Sequence, residues 1–411
     1  MTTLPTTGAS WDALEREMSE ARRADVDWRR GRTAVYIHYA GDDVLDIAKR
    51  AYAMFFSENG LGPRAFQSLA KFESDVVGWT LGLLNGSPDA QGALTSGGTE
   101  SIFLAVMTAR DWARANKRGG ATPRIVAANT AHPAFNKAAH WLGMEVVRVP
   151  VGADLRPDVA AMAAAITPET VMLVGSAPAY PYGMVDPIPE LGRLAERHDL
   201  WLHVDACVGG YIAPFARRLG VAMPSFDFAV PAVRTISADL HKYGYTAKGA
   251  SAILFRDKAA FALLPYEFED WPRGKYSTKT LVGTRPGGAI AAAWAVMRYL
   301  GEDGYLRITR RVLDMRARYQ GGVAQLGFRV FAEPELSIFG YGHDTLDMGA
   351  VADRLGARGW FVSRLSQPQG IHVMLNLTHE PIVEEYLADL AAARDEVASG
   401  AARAPVAAAT Y

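Results

Sequence analysis

A chain of 411 residues, 49% of them hydrophobic, can bury a large core and has room for one large and one small domain. Its formal net charge of -1 argues against a nucleic acid or an anionic membrane gathered by bulk electrostatics, and its single cysteine excludes an internal disulfide. No apolar stretch reaches the roughly 18 to 20 uncharged residues that span a bilayer, and the start MTTLPTTGAS lacks the basic and apolar regions of a leader, so a cytoplasmic location without membrane insertion is expected.

Residues 1–89 read as a helical segment, opened by WDALEREMSEARR, an amphipathic helix expected to pack on a partner subunit. The arginine-rich stretch ARRADVDWRRGR at 21–32 is interrupted by Asp25 and Asp27 and reads as a solvated helix face and connector. From 90 to 290, the apolar runs RIVAAN, EVVRVPV, TVMLVGSA, LWLHVDA and SAILFR alternate with helical stretches, the pattern of a mostly parallel sheet covered on both sides. Within this region TSGGTESI, at 95–102, leads into a helix. Gly97 and Gly98 let the backbone approach an anion, Thr99 offers a hydroxyl, and the helix N-terminus offers free amides and the positive end of its dipole. The same residues also suit ordinary capping, whose purpose is only to start a helix.

His132 follows the predicted strand PRIVAAN directly. In WLHVDACVGG, at 201–210, His203 and Asp205 alternate along a buried parallel strand, so both side chains point to one face. Asp205 then lies at the strand's carboxyl end, where open α/β sheets bind ligands, although a turn or capping aspartate reads the same way. SADLHKYGYTA, at 237–247, holds Lys242 directly after His241. A lysine amine must lose its proton before it attacks a carbonyl, and an adjacent histidine is one group that can carry that proton. After the helix GGAIAAAWAVMRYL the texture changes to charged amphipathic helices and the short strands FRVFAEP, SIFGYG and IHVMLNLTH. This is a small C-terminal domain, taken as 291–411, whose alanine-rich end is expected to fray, as is the TTLPTTG start.

Anion loop, aspartate and lysine occur in that order, with His132 between the first two. The order and wording resemble the fold-type I pyridoxal phosphate enzymes and, within them, the sphingosine-1-phosphate lyase branch of the group II decarboxylase superfamily. The resemblance rests on TSGGTESI, AHPAFNKAAHWLGMEVVRVP, SAPAYPYGMVDPI, HVDACVGGYIAPF, FDFAVPAVRTISADLHKYGYTAKGAS and EDWPRGKYSTKTLVGTRPGGAIAAAWA, and it covers about two thirds of the chain. It implies an α/β fold with an aspartate aminotransferase-like large domain, a small C-terminal α+β domain, pyridoxal 5'-phosphate as cofactor and no metal. It also implies that Lys242 holds the cofactor aldehyde, Asp205 pairs the pyridine nitrogen and His132 stacks on the ring, while Gly98, Thr99 and His241 hold the phosphate. Ser237, which opens the lysine segment, joins the candidate cofactor contacts. Cys207 matches a cysteine common in the lyase branch, and as a lone cysteine it equally suits a small buried hydrophobe. The GTRPGG loop, with Gly283 and Thr284, is expected to reach the phosphate of the neighbouring subunit in a homodimer with a shared site.

For the substrate, the resemblance implies a phosphate cluster of a lysine, a tyrosine and a histidine. Lys248 and Tyr36 supply the first two, but Gly62 occupies the histidine position in NGLGPRAF. A lost phosphate ligand costs about 1.5 to 3 kcal/mol, which leaves open whether a phosphorylated sphingoid base is the substrate. Arg64, two residues on, can replace the donor or meet a carboxylate, since its guanidinium fits either anion. Retro-aldol cleavage of a β-hydroxy amine is favoured, because HVDACVGG and DLHKYGYTAKGAS stand closer to the lyase branch. Amino-acid decarboxylation is the alternative. Transamination ranks lower, since IHVMLNLTH offers His372 and Asn376 but no arginine, leaving Arg364 nearby. A non-catalytic binding protein ranks lowest, because the lysine and aspartate are both present. Tyr36, Tyr243 and His241 are the candidate bases.

Overall fold

The computed structural model describes residues 3–400, so most of the alanine-rich end lies outside the described residues. Seven strands form the main sheet: β1 (Gln91–Thr95), β2 (Arg124–Ala128), β3 (Glu145–Val149), β4 (Thr170–Ser176), β5 (Trp201–Asp205), β6 (Val233–Ala238) and β7 (Ser251–Phe255). Their order across the sheet is β1-β7-β6-β5-β4-β2-β3. Strands β4, β5 and β7 are buried along their whole length, which is why they appear in the sequence as near-continuous apolar runs.

One strand departs from the expected pattern. SAILFR, taken as a parallel member, is antiparallel to both β1 and β6. No helix lies between β6 and β7, and a parallel return needs a crossover of a dozen or more residues that is usually helical. The connecting turn, 239–250, carries Lys242 and Lys248 across the carboxyl end of β6. Strand β1, QGALT, was not anticipated, because it is short and holds a glycine.

A second, wholly antiparallel sheet is built from β10 (Arg329–Val330), β11 (Ile338–Gly342), β12 (Ser363–Ser366) and β13 (Gln369–Met374), after a separate hairpin of β8 (Tyr266–Phe268) and β9 (Tyr276–Thr278). The expected boundary at 290/291 falls inside one helix, Gly287–Gln325, which bends at Gly301 where φ is 56°. The N-terminal segment also joins the second sheet's surroundings. Thr33 bridges Phe361, the Ala34 carbonyl accepts from Met374 N at 3.0 Å, and the Tyr39 carbonyl accepts from Leu377 N at 3.2 Å. The 21–32 stretch is therefore only partly solvated: Arg32 pairs with Glu385 and lies 4.3 Å over the Trp360 ring.

The opening helix, Trp11–Ala21, starts at Ser10, whose hydroxyl accepts from Ala13 N at 3.3 Å. None of its residues is buried. Trp11, Leu14 and Met18 recur at helical spacing and stay exposed, so this apolar stripe is uncovered by the described residues.

Below the ligand-facing end of the sheet, His203 on β5 is completely buried. Its Nδ1 bonds the Thr235 hydroxyl at 2.9 Å and its Nε2 the Ser237 hydroxyl at 3.2 Å. Burial pushes its pKa from 6.5 down to about 4. Because the unfolded imidazole binds a proton near pH 6.5 and the folded one does not, this residue removes stability as pH falls from 6.5 towards 4. Between pH 6.5 and 5 the loss is about 1.5 kcal/mol. A His203→Asn variant is expected to lose that much less than the wild type in urea unfolding at the two pH values. Parallel losses would show that His203 does not titrate with folding.

Candidate active site

The carboxyl ends of β1, β4, β5 and β6 surround a cavity of about 440 Å³. The long helix Gly98–Ala115 points its N-terminus into this space. Its N-cap is Gly97, which has no side chain to bond the first amides, so the ordinary capping reading does not hold in full. Glu100 does reach back one turn, its Oε2 accepting from Ser96 N and Ser96 Oγ at 2.6 Å each. Its other oxygen accepts from Leu281 N at 2.8 Å, tying the anion loop to the segment before GTRPGG. At Gly98 a Cβ would sit 2.7 Å from Cys207 Sγ and 2.8 Å from both Asp239 oxygens, so only glycine fits.

Lys242 enters from the β6–β7 turn, with Nζ 3.1 Å from Asp239 Oδ2. Burial alone would lower the lysine's pKa, but the Asp239 carboxylate, joined by Cys207 and Asp205, outweighs it and holds the ammonium well above the ordinary lysine range. Conversely, Lys242 and His241 hold the buried Asp239 below the ordinary carboxylate range, against the opposing effect of burial. The Ser251 hydroxyl donates to Asp239 at 2.5 Å and fixes its orientation. His241 donates from Nδ1 to the Ala250 carbonyl at 2.7 Å, which leaves Nε2 as the basic nitrogen, 3.6 Å from Asp239.

Asp205 meets the cavity from the end of β5. Its Oδ1 accepts from Cys207 N at 3.0 Å and from Ser237 Oγ at 3.4 Å. Ser237 itself is fully buried beneath the cavity, where it supports Asp205 and His203 rather than lining the space. Cys207 does line it, but burial followed by the charges of Asp205 and Asp239 pushes its thiol pKa up, away from the reactive thiolate. His132 faces the same cavity. Its Nδ1 accepts from Ala134 N at 3.1 Å, placing the ring proton on Nε2, and burial lowers its pKa.

Lys248 stands at the rim, donating to the Tyr36 carbonyl at 2.9 Å and the His241 carbonyl at 3.3 Å. Solvent reaches this side chain, yet surrounding protein and then the Lys242 charge lower its pKa to about 8. Tyr36 is 48% exposed, with its ring tilted against Phe361, and does not line the cavity. Arg64 is exposed and likewise does not line the cavity. Gly283 and Thr284 do not line this chain's own cavity, and Asn59 Nδ2 holds the Thr284 hydroxyl at 3.2 Å.

Two of the candidate bases lose ground on geometry. Tyr243 is buried, donates to the Leu375 carbonyl at 2.7 Å and has its pKa pushed up by burial; Tyr36 is turned outwards. Of the groups considered for transamination, Arg364 is paired with Asp353, Asn376 Nδ2 donates to the Ile37 carbonyl at 2.9 Å, and His372 Nδ1 donates to the Pro181 carbonyl at 3.1 Å. Asp239, Glu100 and Tyr180 were missed. Asp239 was readable as an acid three residues before Lys242, whereas Glu100 and Tyr180 depend on contacts between distant segments.

Residues 68–340 match the family described as the pyridoxal-dependent decarboxylase conserved domain. The chain is similar to a sphingosine-1-phosphate lyase of Oryza sativa, 38% identical over 96% of this chain and 75% of the relative. It is also similar to sphingosine-1-phosphate lyase 1 of Mus musculus, 36% identical over 94% of this chain and 69% of the relative. Among solved structures, the sphingosine-1-phosphate lyase of Burkholderia pseudomallei superposes with a TM-score of 0.93 at 35% identity, covering 97% of this chain and 94% of the other. A glutamate decarboxylase of Lactobacillus brevis shares the fold, with a TM-score of 0.85 at 19% identity over 98% and 96% of the two chains.

Proposed function

Because the chain belongs to the pyridoxal-dependent decarboxylase family and, within it, to the sphingosine-1-phosphate lyase branch, we propose that this pyridoxal phosphate-dependent lyase cleaves a phosphorylated sphingoid base into an aldehyde and a small phosphorylated amine. The observation that carries the substrate reading is Lys248, a rim cation that bonds only carbonyls and makes no ion pair among the described residues, so its charge is available to a substrate anion.

The residues present fit the cofactor. When bound, pyridoxal phosphate supplies a cationic ring that takes up the electrons of the broken bond. Asp205 would keep the ring nitrogen protonated, its carboxylate aimed by Cys207 N and Ser237. Gly98 and Thr99 would hold the phosphate at the helix N-terminus, and His132 would lie against the ring. Lys242 would bind the aldehyde carbon once its amine is neutral. His241 Nε2, beside the same Asp239 carboxylate, is placed to take that proton.

We assign a homodimer, supported by the uncovered Trp11, Leu14 and Met18 stripe and by the exposed Phe268, Leu281 and Val282. In it, Gly283 and Thr284 would serve the partner's phosphate. The cytoplasm is the proposed location, in keeping with a single, unpaired, buried cysteine.

Gly98→Ala is expected to weaken cofactor binding roughly 10- to 100-fold, as overpacking costs about 1 to 3 kcal/mol; titrating the apoprotein with pyridoxal phosphate reads this directly. The overall assignment is tested by the absorbance spectrum before and after borohydride reduction, followed by product analysis with a phosphorylated sphingoid base and with plain amino acids. Aldehyde release supports the lyase. Carbon dioxide from amino acids, with no aldehyde, would overturn it.

A further inference from the structure

Four buried side chains from separate elements meet at the carboxylate that pairs with Lys242. Thr95 ends β1, Ser101 stands one turn into the helix Gly98–Ala115, Ser251 opens β7 opposite Thr95, and Asp239 follows β6. Their oxygens form one continuous row: Thr95 Oγ1 to Ser101 Oγ at 2.6 Å, Ser101 Oγ to Ser251 Oγ at 3.0 Å, and Ser251 Oγ to Asp239 Oδ1 at 2.5 Å. The row starts at the anion loop and ends 3.1 Å short of Lys242 Nζ, on the other side of Asp239.

Its direction follows from the chemistry of the groups. An ionised carboxylate only accepts, so the Ser251 proton goes to Asp239 in preference to the longer contact with the Ala238 carbonyl at 3.1 Å. With its one proton spent, Ser251 can only accept from Ser101. Ser101 in turn can only accept from Thr95, whose other contact, the Gly97 carbonyl, is longer at 3.4 Å. All three protons therefore point towards Asp239. Hydroxyls in such a row polarise one another, and away from water the effect is not diluted.

Asp239 needs that support, because burial favours its neutral form. The titratable groups around it are Lys242, His241 and Lys248 on its own turn, His132 after β2, and Cys207 and Tyr211 after β5. Lys242 lies nearest, and it gives up its charge whenever its amine becomes neutral. At that moment the hydroxyls are what remains to hold the carboxylate ionised.

We propose that Thr95, Ser101 and Ser251 are positioning residues, a polarised hydroxyl row that keeps Asp239 an anion while Lys242 releases its proton. The proton then leaves Lys242 Nζ for His241 Nε2 and does not stop on the carboxylate; each hydroxyl keeps its own proton throughout. This rests on the reading of Lys242 as the residue that binds the cofactor aldehyde, and adds the device that fixes its partner's charge.

The test titrates Asp239 itself, by carboxyl NMR of the full-length holoenzyme carrying isotope-labelled aspartate, with Asp239→Asn identifying the signal. In Ser251→Ala the carboxyl is expected to bind its proton roughly 10- to 100-fold more tightly, the range for a lost hydrogen bond to a charged group. The acid limb of kcat should move to higher pH by the same factor, with KM at wild-type level above it. Ser101→Ala should tighten proton binding only about 2- to 4-fold, because it removes polarisation and not the bond to Asp239. Added to Ser251→Ala it should change nothing further, since Ser101 reaches Asp239 only through Ser251.

An unshifted carboxyl in Ser251→Ala would overturn the proposal. An equal shift from Ser101→Ala in both backgrounds would do the same by making the hydroxyls independent, and a shifted carboxyl with an unmoved acid limb by separating Asp239 from the chemistry of Lys242. Loss of fold in both serine variants would assign the hydroxyls to stability alone and overturn it as well. Borohydride should fix the cofactor on Lys242 in the wild type and in every variant. Wild-type protein that holds no cofactor would overturn the reading of Lys242, while the carboxyl titration of the cofactor-free protein would still decide the hydroxyl row.

Discussion

Lys242→Ala protein is expected to lose carbon–carbon cleavage by roughly 10⁴-fold or more, since one side chain supplies both the covalent attachment of the cofactor and a proton-transfer group. Borohydride should no longer fix the cofactor to the chain. A second effect follows from the ion pair. Removing the ammonium leaves Asp239, 2% exposed, without the cation 3.1 Å away. Breaking a buried pair by deleting one partner costs about 3 to 5 kcal/mol. Asp239 is held below the ordinary carboxylate range in the intact protein, so the pair's contribution is present above the unfolded carboxylate pKa of 3.8 and is lost as pH falls through the folded value. In Lys242→Ala the main charge that opposes the raising effect of burial on Asp239 is gone, so its carboxyl takes up a proton as pH falls, and the stability deficit should be larger at pH 7 than at pH 4. Adding Asp239→Asn should restore much of the stability and none of the activity. Urea unfolding of the single and double variants, together with aldehyde release, measures both. A single variant as stable as the wild type at pH 7 would show that Asp239 is not charged beside Lys242.

Asp205→Asn should cost roughly 10²- to 10³-fold in kcat/KM, the range for removing one preorganised electrostatic group from an active site. The amide is nearly isosteric, and its oxygen can still accept from Cys207 N and Ser237 Oγ, so the strand end should keep its shape. The carboxylate charge is what disappears. Cofactor should still attach to Lys242 and still be fixed by borohydride. That combination separates the variant from Lys242→Ala. Unchanged turnover would mean that Asp205 does not govern the charge on the cofactor ring.

The elements that were legible in the sequence are those whose pattern is set within one segment. β4 and β5 are buried from end to end and appear as apolar runs, and the two glycines after Ser96 announce a backbone built for close approach. His132 and Asp205 could be named because each follows or ends such a run and Lys242 because it stands beside His241, whereas Cys207 and Lys248 were named through the family resemblance; the topology brings all five to one cavity. SAILFR shows the limit. Its composition is that of any buried strand, and its reversed direction follows only from the absence of a crossover helix before it.

Other assignments depended on contacts that no local pattern encodes. Ser237 and Arg64 are plausible polar residues in suitable segments, yet one is packed beneath the cavity and the other is exposed and does not line it. Glu100 bonds a backbone amide 181 residues away, and the Ile37 carbonyl meets a side chain 339 residues away. By itself, then, the sequence determined the α/β class, the order of the chemical groups and the identity of the residues at the strand ends, because periodicity and glycine placement act over a few neighbouring residues. Only the tertiary structure decided that Asp239 pairs with Lys242, that Tyr243 is tied off, and that the segment 33–39 lays His38 against the Tyr243 ring. Those outcomes are set by burial and by hydrogen bonds between segments that approach each other only when the chain has folded.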